Sequence, residues 1–273
     1  MTGTPFFKMT GSGNDFVVLD GRVSPPSEWP AERIVAVCDR RNGVGADGLV
    51  VLTPERENAV RMTFFNADGS RAAMCGNAAL CSTRLSARLG LGRAEGMELV
   101  TDAGTYRTRC VSPTERAEVH LADVDLPVAP EGLPAQPGEL AITLAVVGVP
   151  HLVVRVEDVE AVDLMGRGRE LRFHPALGPA GANANFVSPP KDPGGPWLIR
   201  TYERGVEGET LACGTGTVAA ALAVAGEAGL PATFRSRGGA LIGVSAVPVG
   251  SRASDVWLCG EGRLVFEGRL TAL

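Results

Sequence analysis

Two cysteines occupy matching local settings in this chain. Cys75-Gly76 and Cys213-Gly214 each follow a short β-type run and a turn, and each opens an apolar helical pattern. A cysteine at a helix N-terminus meets unpaired backbone N–H groups and partial positive charge, which favour the thiolate and also bind a carboxylate. A free thiol titrates near about 8.5, so a modest downward shift makes it a base near neutral pH, while a second thiol kept protonated serves as the acid. If two half-domains face each other across a cleft, an amino-acid α-carbon between the sulfurs loses its proton to one thiolate. It regains one from the opposing thiol and is inverted without a pyridoxal cofactor. Backbone donors at Gly76, Asn77, Gly214 and Thr215 would stabilise the charge that grows on the substrate carboxylate as the proton leaves. A single Cys beside Gly at a helix start is more often a packed core thiol. The matched pair is what points to chemistry.

The elements that must position these thiols are legible in part. Cys75 to Leu89 predicts a helix with Ala78, Cys81, Leu85 and Leu89 on one face and Gly90 as its stop, and Arg84 and Arg88 lie on another face. Cys213 to about Ala225 predicts a second, with Val218, Ala221, Leu222 and Ala225 in one stripe before Gly226 and Gly229. Strands are expected at Phe16–Asp20, Leu49–Leu52, Arg61–Phe65, Thr105–Val111, Ala117–Val124, Leu140–Val147, Leu152–Val156, Trp197–Tyr202 and Leu264–Phe266. Aligning Cys75 on Cys213 sets Phe64–Gly69 against Tyr202–Glu207 without a gap, and a weaker echo pairs Gly13–Val17 with Ala184–Val187. The halves therefore read as a duplication. The fold class is α+β: two pseudo-symmetric domains, each a curled, mostly antiparallel sheet wrapped around a central helix, with the active site in the cleft between them. The expected domains are residues 1–116, completed by a last strand at 263–273, and residues 117–262.

Composition narrows the function. The 273 residues are 45% hydrophobic and 21% charged, enough for two cores, and no apolar run approaches the roughly 20 residues that span a bilayer. No signal peptide is evident at the N-terminus, so a cytoplasmic location is expected. A net charge of −5 with scattered arginines argues against nucleic acid. The six cysteines are sparse, irregular and without a CxxC pair, and the three histidines lack metal-site spacing, so neither a disulfide scaffold nor a structural metal is expected. Gly214-Thr215-Gly216 lacks the lysine and spacing of a phosphate loop. Cys38, Cys81, Cys110 and Cys259 read as packed or idle. Exposed strands leave room for a homodimer, but no segment specifies an interface.

The segments Lys8–Phe16, Phe65–Ser70, Met74–Asn77, Tyr202–Gly205 and Glu209–Gly216, in this order over nearly the whole chain, closely resemble the diaminopimelate epimerase family. The resemblance implies conversion of LL-2,6-diaminopimelate to the meso form, in the pathway to lysine and cell-wall peptidoglycan, by two pseudo-symmetric domains that close on substrate without a cofactor. It assigns Cys75 and Cys213 as acid and base, with His151 near Cys75 and Glu203 near Cys213 as supporting groups. It gives Asn14, Asn66, Asn183 and Arg204 to the non-reacting end of the substrate, with Asn185 as the alternative to Asn183. An arginine fork with amides suits a distant carboxylate. Taken without the resemblance, His151 reads equally as a core or turn histidine, Glu203 as a solvated strand residue and Arg204 as a surface ion pair. The chain departs from the family pattern at Val149, where many members have Asn, at Ala78-Ala79-Leu80, and at Glu207, an extra residue in the turn after Arg204. These departures leave open a two-thiol racemase or epimerase of another amino acid, either proline racemase-like or acting on a basic amino acid. A non-catalytic amino-acid binder is the remaining reading, distinguished by the absence of α-proton exchange.

Overall fold

The computed structural model describes residues 3–271. Contacts divide the chain into two compact units, one reaching His120 and resuming at Cys259, the other Leu121–Leu258. Of the expected last strand 263–273, residues 272 and 273 lie outside the described residues.

The first unit contains β1 (Thr4–Gly11), β2 (Asn14–Asp20), α1 (Ala31–Cys38), β3 (Gly48–Arg56), β4 (Ala59–Asn66), β5 (Arg71–Ala72), α2 (Gly76–Arg88), β6 (Met97–Thr101), β7 (Gly104–Val111), β8 (Arg116–His120) and, late in the chain, β18 (Arg263–Leu270). Strands β18, β1, β2, β3, β4, β6, β7 and β8 pair in that order, parallel at β2–β3 and β4–β6 and antiparallel elsewhere. The short β5 pairs with the C-terminal end of β4. Helix α2 packs against all eight of those strands, so the sheet curls around it. Strands β2 and β3 are continuous apolar runs because both faces are covered. Val17, Leu19, Leu49, Val51 and Phe65 pack with Trp29, Ile34 and Val37 on the α1 side. Phe16, Val18, Val50 and Leu52, alternating with them, are buried on the other face. Each such side chain contributes about 1.5–3 kcal/mol on burial.

The second unit contains β9 (Val124–Asp125), β10 (Glu139–Val147), β11 (Val149–Val156), α3 (Leu164–Arg172), β12 (Asn183–Ser188), β13 (Trp197–Glu203), β14 (Gly208–Thr210), α4 (Gly214–Ala223), the one-turn α5 (Ala225–Ala228), β15 (Ala232–Arg235), β16 (Leu241–Val249) and β17 (Arg252–Glu261), within which the unit ends. Its pairings repeat those of the first. Strands β10 and β11 are antiparallel, β11 and β12 parallel, β12 and β13 antiparallel, β13 and β14 antiparallel, β13 and β15 parallel, and β15 and β16 antiparallel. Helices α2 and α4 hold equivalent places, as do α1 and α3. Leu152, Val154, Val156, Ala184, Phe186 and Tyr202 pack with Leu164 and Leu171 of α3. Helix α4 packs against β10, β11, β12, β15 and β16. It is apolar all round and buried from Gly216 to Leu222, as a helix enclosed by sheet must be.

The two principal helices and the α+β class follow the sequence reading. The weaker echo does not: β2 takes the place of β11, and β12 that of β3. Its Phe-Val pairs recur because both strands are buried on two faces, not because they are equivalent. The expected strand Ala117–Val124 is interrupted, with β8 ending at His120 and Leu121 N–H donating to Val256 O. Helices α1 and α3 were not anticipated, although Ile34, Val37 and Cys38, and Leu164, Gly168 and Leu171, have helical spacing. Two glycines in α3 mask it, since glycine lowers helix propensity. Among the described residues no helix is long and apolar enough to cross a membrane.

Gly168 shows why α3 tolerates glycine: a Cβ there would lie 2.7 Å from Tyr202 Cβ. Gly168→Ala should therefore destabilise the protein by about 1–3 kcal/mol through overpacking, against the gain that helix propensity alone predicts. Urea unfolding measures the sign directly.

Candidate active site

In the first unit Cys75 is the N-cap of α2, with extended backbone (φ −142°, ψ 121°), and its side chain does not cap the helix. The first-turn N–H groups at Gly76 and Asn77 therefore have no intrahelical acceptor. The β1–β2 hairpin delivers Asn14 to this helix start. Its two turn residues, Ser12 and Gly13, both have positive φ (50° and 107°), the backbone twist that tight hairpins need. Gly11 is required beside the turn, because a Cβ there would lie 2.5 Å from Asn77 O. Asn77 Nδ2 donates to Asn14 Oδ1 at 2.6 Å, and Asn14 Nδ2 donates to Asp47 Oδ2 at 2.9 Å. Behind them Arg40 bridges Asp15 and Asp47, and Lys8 pairs with Asp15 at 2.6 Å and with Gly45 O. Burial pushes the Asp15 carboxyl up, but hydrogen bonds and charge from Arg40 and Lys8 outweigh it and lower it from 3.8 to about 2. Asn66 lies exposed on the β4–β5 turn, its amide donating to Ser70 Oγ at 3.0 Å.

In the second unit Cys213 is the N-cap of α4, again extended (φ −129°, ψ 109°) and again without a side-chain cap bond. Its Sγ lies 3.7 Å from Thr215 Oγ1. Strand alternation places His151, Asn183, Asn185 and Thr201 on the face opposite α3, the face that α4 covers. The parallel register sets His151 beside Asn183, and the antiparallel one sets Asn185 beside Thr201. His151 Nδ1 lies 3.4 Å from Asn183 Nδ2 and 3.3 Å from Asn185 Nδ2. Asn185 donates to Leu152 O at 2.9 Å and accepts from Thr201 Oγ1 at 2.9 Å. A Cβ on Gly216 would collide with Asn185 Oδ1 and lie 3.2 Å from Cys213 Sγ, so this glycine lets the amide row meet the start of α4.

His151 is fully buried, and its Nε2 has no hydrogen-bond partner. Burial, with help from the Arg204 charge, pushes its imidazole down from 6.5 to about 3, so the ring is neutral at pH 7. Burial raises the Glu203 carboxyl, opposed by Thr210. Arg204 N–H donates to Asn183 Oδ1 at 2.7 Å. Its half-buried guanidinium has no carboxylate or hydrogen-bond partner among the described residues.

A family model described as Diaminopimelate epimerase matches residues 6–126 and 143–245. A protein of Gemmatimonas aurantiaca named diaminopimelate epimerase is 46% identical, over 98% of this chain and 99% of its own. One of Aquifex aeolicus with the same name is 39% identical over 97% of each. The chain belongs to the diaminopimelate epimerase family. Solved structures share the fold at lower identity. A PhzF-family phenazine biosynthesis protein of Bacillus anthracis superposes with a TM-score of 0.70 at 14% identity, covering 99% of each chain. A hydroxyproline epimerase of Agrobacterium vitis gives 0.65 at 18%, covering 98% of this chain and 90% of its own.

The epimerase motifs named from the sequence form the β1–β2 hairpin, the β4–β5 turn and the starts of α2 and α4. The structure joins Asn14 to Asn77 beside Cys75, and His151, Asn183 and the Arg204 backbone in the unit that carries Cys213. Asn183 and Asn185 both face His151. Asn185 is consumed by Leu152 and Thr201, whereas Asn183 faces the Arg204 turn. The ungapped repeat hides a shift: Phe65 pairs with Arg71, but Glu203 pairs with Gly208, so the second turn is one residue shorter and the approach to Cys213 one longer. Sequence reasoning missed Arg40, Asp47 and Thr201. Asp47 alone had a local signal, its place after Gly45 (φ 77°) at a strand start.

The His151 shift has a testable sign. Below 6.5 the unfolded chain takes up a proton that the folded ring refuses, so stability drains away as pH falls from 6.5 toward about 3. His151→Gln should lose less stability than the wild type between about pH 7 and 5. Urea unfolding at both pH values supplies the comparison.

Proposed function

We propose that this chain inverts one α-carbon of LL-2,6-diaminopimelate to give the meso form, with Cys75 and Cys213 as acid and base. The observation that carries the reading is the repeat of one device, a cysteine N-cap on an uncapped helix held by the same strand pairings in each unit. Membership of the epimerase family names the substrate. Inversion needs a base on one face of the carbon and an acid on the other, and each unit supplies one thiol.

The substrate carboxylate at the reacting centre takes the free N–H groups of Gly76, Asn77, Gly214 and Thr215. Those donors gain strength as negative charge develops, which lowers the barrier for proton removal. His151, neutral and with a buried unbonded nitrogen, and Glu203, with its raised carboxyl, support the thiols as proton partners. Asn14, Asn66, Asn183 and Arg204 hold the non-reacting end, where the unpaired Arg204 fork takes the second carboxylate. The product serves lysine and peptidoglycan synthesis in the cytoplasm, where thiols stay reduced.

Incubation of the reduced protein with LL-diaminopimelate in heavy water should yield α-deuterium and meso product together. Cys75→Ala should lower turnover by at least about 10²–10⁴-fold, the contribution typical of one acid or base. Near-normal turnover by that variant would remove the two-thiol mechanism. Exchange with other amino acids but not with diaminopimelate would retain the mechanism and displace the substrate.

A further inference from the structure

The turn that carries Arg204 is held from behind by an ion pair that the reaction itself does not explain. Arg172, the last residue of α3, is only 8% exposed. Its Nε and one terminal nitrogen reach Glu207 Oε1 at 3.2 and 3.1 Å, while the other nitrogen donates to Ala180 O at 3.0 Å. The same Glu207 oxygen accepts the Gly205 N–H at 3.1 Å, and the Glu207 N–H closes the turn on Glu203 O at 2.8 Å. Glu207 sits at φ 54°, a left-handed conformation that a glutamate rarely adopts. Gly181 follows Ala180 at φ 59°, and a Cβ there would collide with Arg172. One guanidinium thus grips two segments at once: the lead-in to β12, three residues before Asn183, and the turn beginning at Arg204.

A part-buried ion pair adds little net stability, because solvent screening and desolvation offset its attraction. Holding a left-handed glutamate costs more still. The pair therefore fits a positional role. We infer that Arg172 and Glu207 are positioning residues that fix Arg204 and Asn183 for the non-reacting end of the substrate. Neither touches the reacting atoms. The inference rests on Arg204 as the clamp for the distal carboxylate, so its test carries that residue as a control.

Steady-state epimerisation of LL-diaminopimelate is compared for the wild type, Arg204→Lys, Glu207→Gln, Glu207→Gly and the double variant Arg204→Lys/Glu207→Gln, with melting temperatures measured for each. Glu207→Gln should raise KM about tenfold, the weight of one charged hydrogen bond, with kcat within about twofold, because only ground-state and transition-state binding of a remote group is lost alike. Glu207→Gly, which suits the left-handed backbone, should show the same KM defect, assigning it to the carboxylate and not to relief of strain. The double variant should be no worse than Arg204→Lys alone, because both changes disable one contact. Wild-type KM in both Glu207 variants, or fully additive losses in the double variant, overturns the positioning role while leaving the Arg204 clamp standing. Wild-type KM in Arg204→Lys overturns the clamp and, with it, the inference.

Discussion

An α-helix that starts in the interior of a curled sheet brings with it backbone N–H groups that its own carbonyls cannot satisfy. Most helices cover them with a serine, threonine or aspartate N-cap. Here both central helices begin instead at a cysteine whose side chain makes no such bond. The donors are left for an anion, and the sulfur sits at the positive end of the helix dipole. The surrounding elements can be understood as consequences of keeping these two helix starts in place. The sheet encloses α2 and α4 along their lengths, the β4–β5 and β13–β14 turns aim the chain into them, and glycines at 11 and 216 clear the space beside them.

The two units solve the same problem with different chemistry. Around α2 the polar support is ionic: the buried Lys8 and the more exposed Asp15, Arg40 and Asp47 pair with one another, and their charges anchor the Asn14 amide that meets Asn77. Around α4 the support is neutral. A buried histidine, two asparagines and a threonine form a row on the inner face, and the one nearby cation, Arg204, stands at the strand end without a carboxylate partner among the described residues. Burial, helped by that cation, keeps His151 uncharged. The strand pairings and the cysteine N-cap recur in both units, whereas the residues around each thiol differ.

Much of this was written locally. The helix beginning at Cys75 and ending at Gly90 follows from apolar spacing and a glycine stop. The strands β2, β3 and β13 follow from β-branched and aromatic runs between turn residues. The Val149 side chain shares the His151 face of β11 by simple alternation. Other features rest on pairings that had no local signal. Arg40 and Asp47 lie far in sequence from Asn14, and Arg172 is far from Glu207; only chain folding brings each pair together. Helix α3 was hidden because it carries two glycines, one of which, Gly168, answers to Tyr202, a contact invisible in the segment itself.

The sequence by itself determined the chemistry available: two thiols at two helix starts, an arginine beside a glutamate, and a family whose motifs run in order along the chain. These depend on residue type and on spacing within one turn of helix or one strand, and such interactions are fixed over a few residues. The tertiary structure decided which polar groups share a face. His151, Asn183, Asn185 and Thr201 form one row only because β11 and β12 pair in parallel at a single register. A parallel pair has no hairpin to set that register, so it is chosen by burial of the apolar residues on the opposite face against α3.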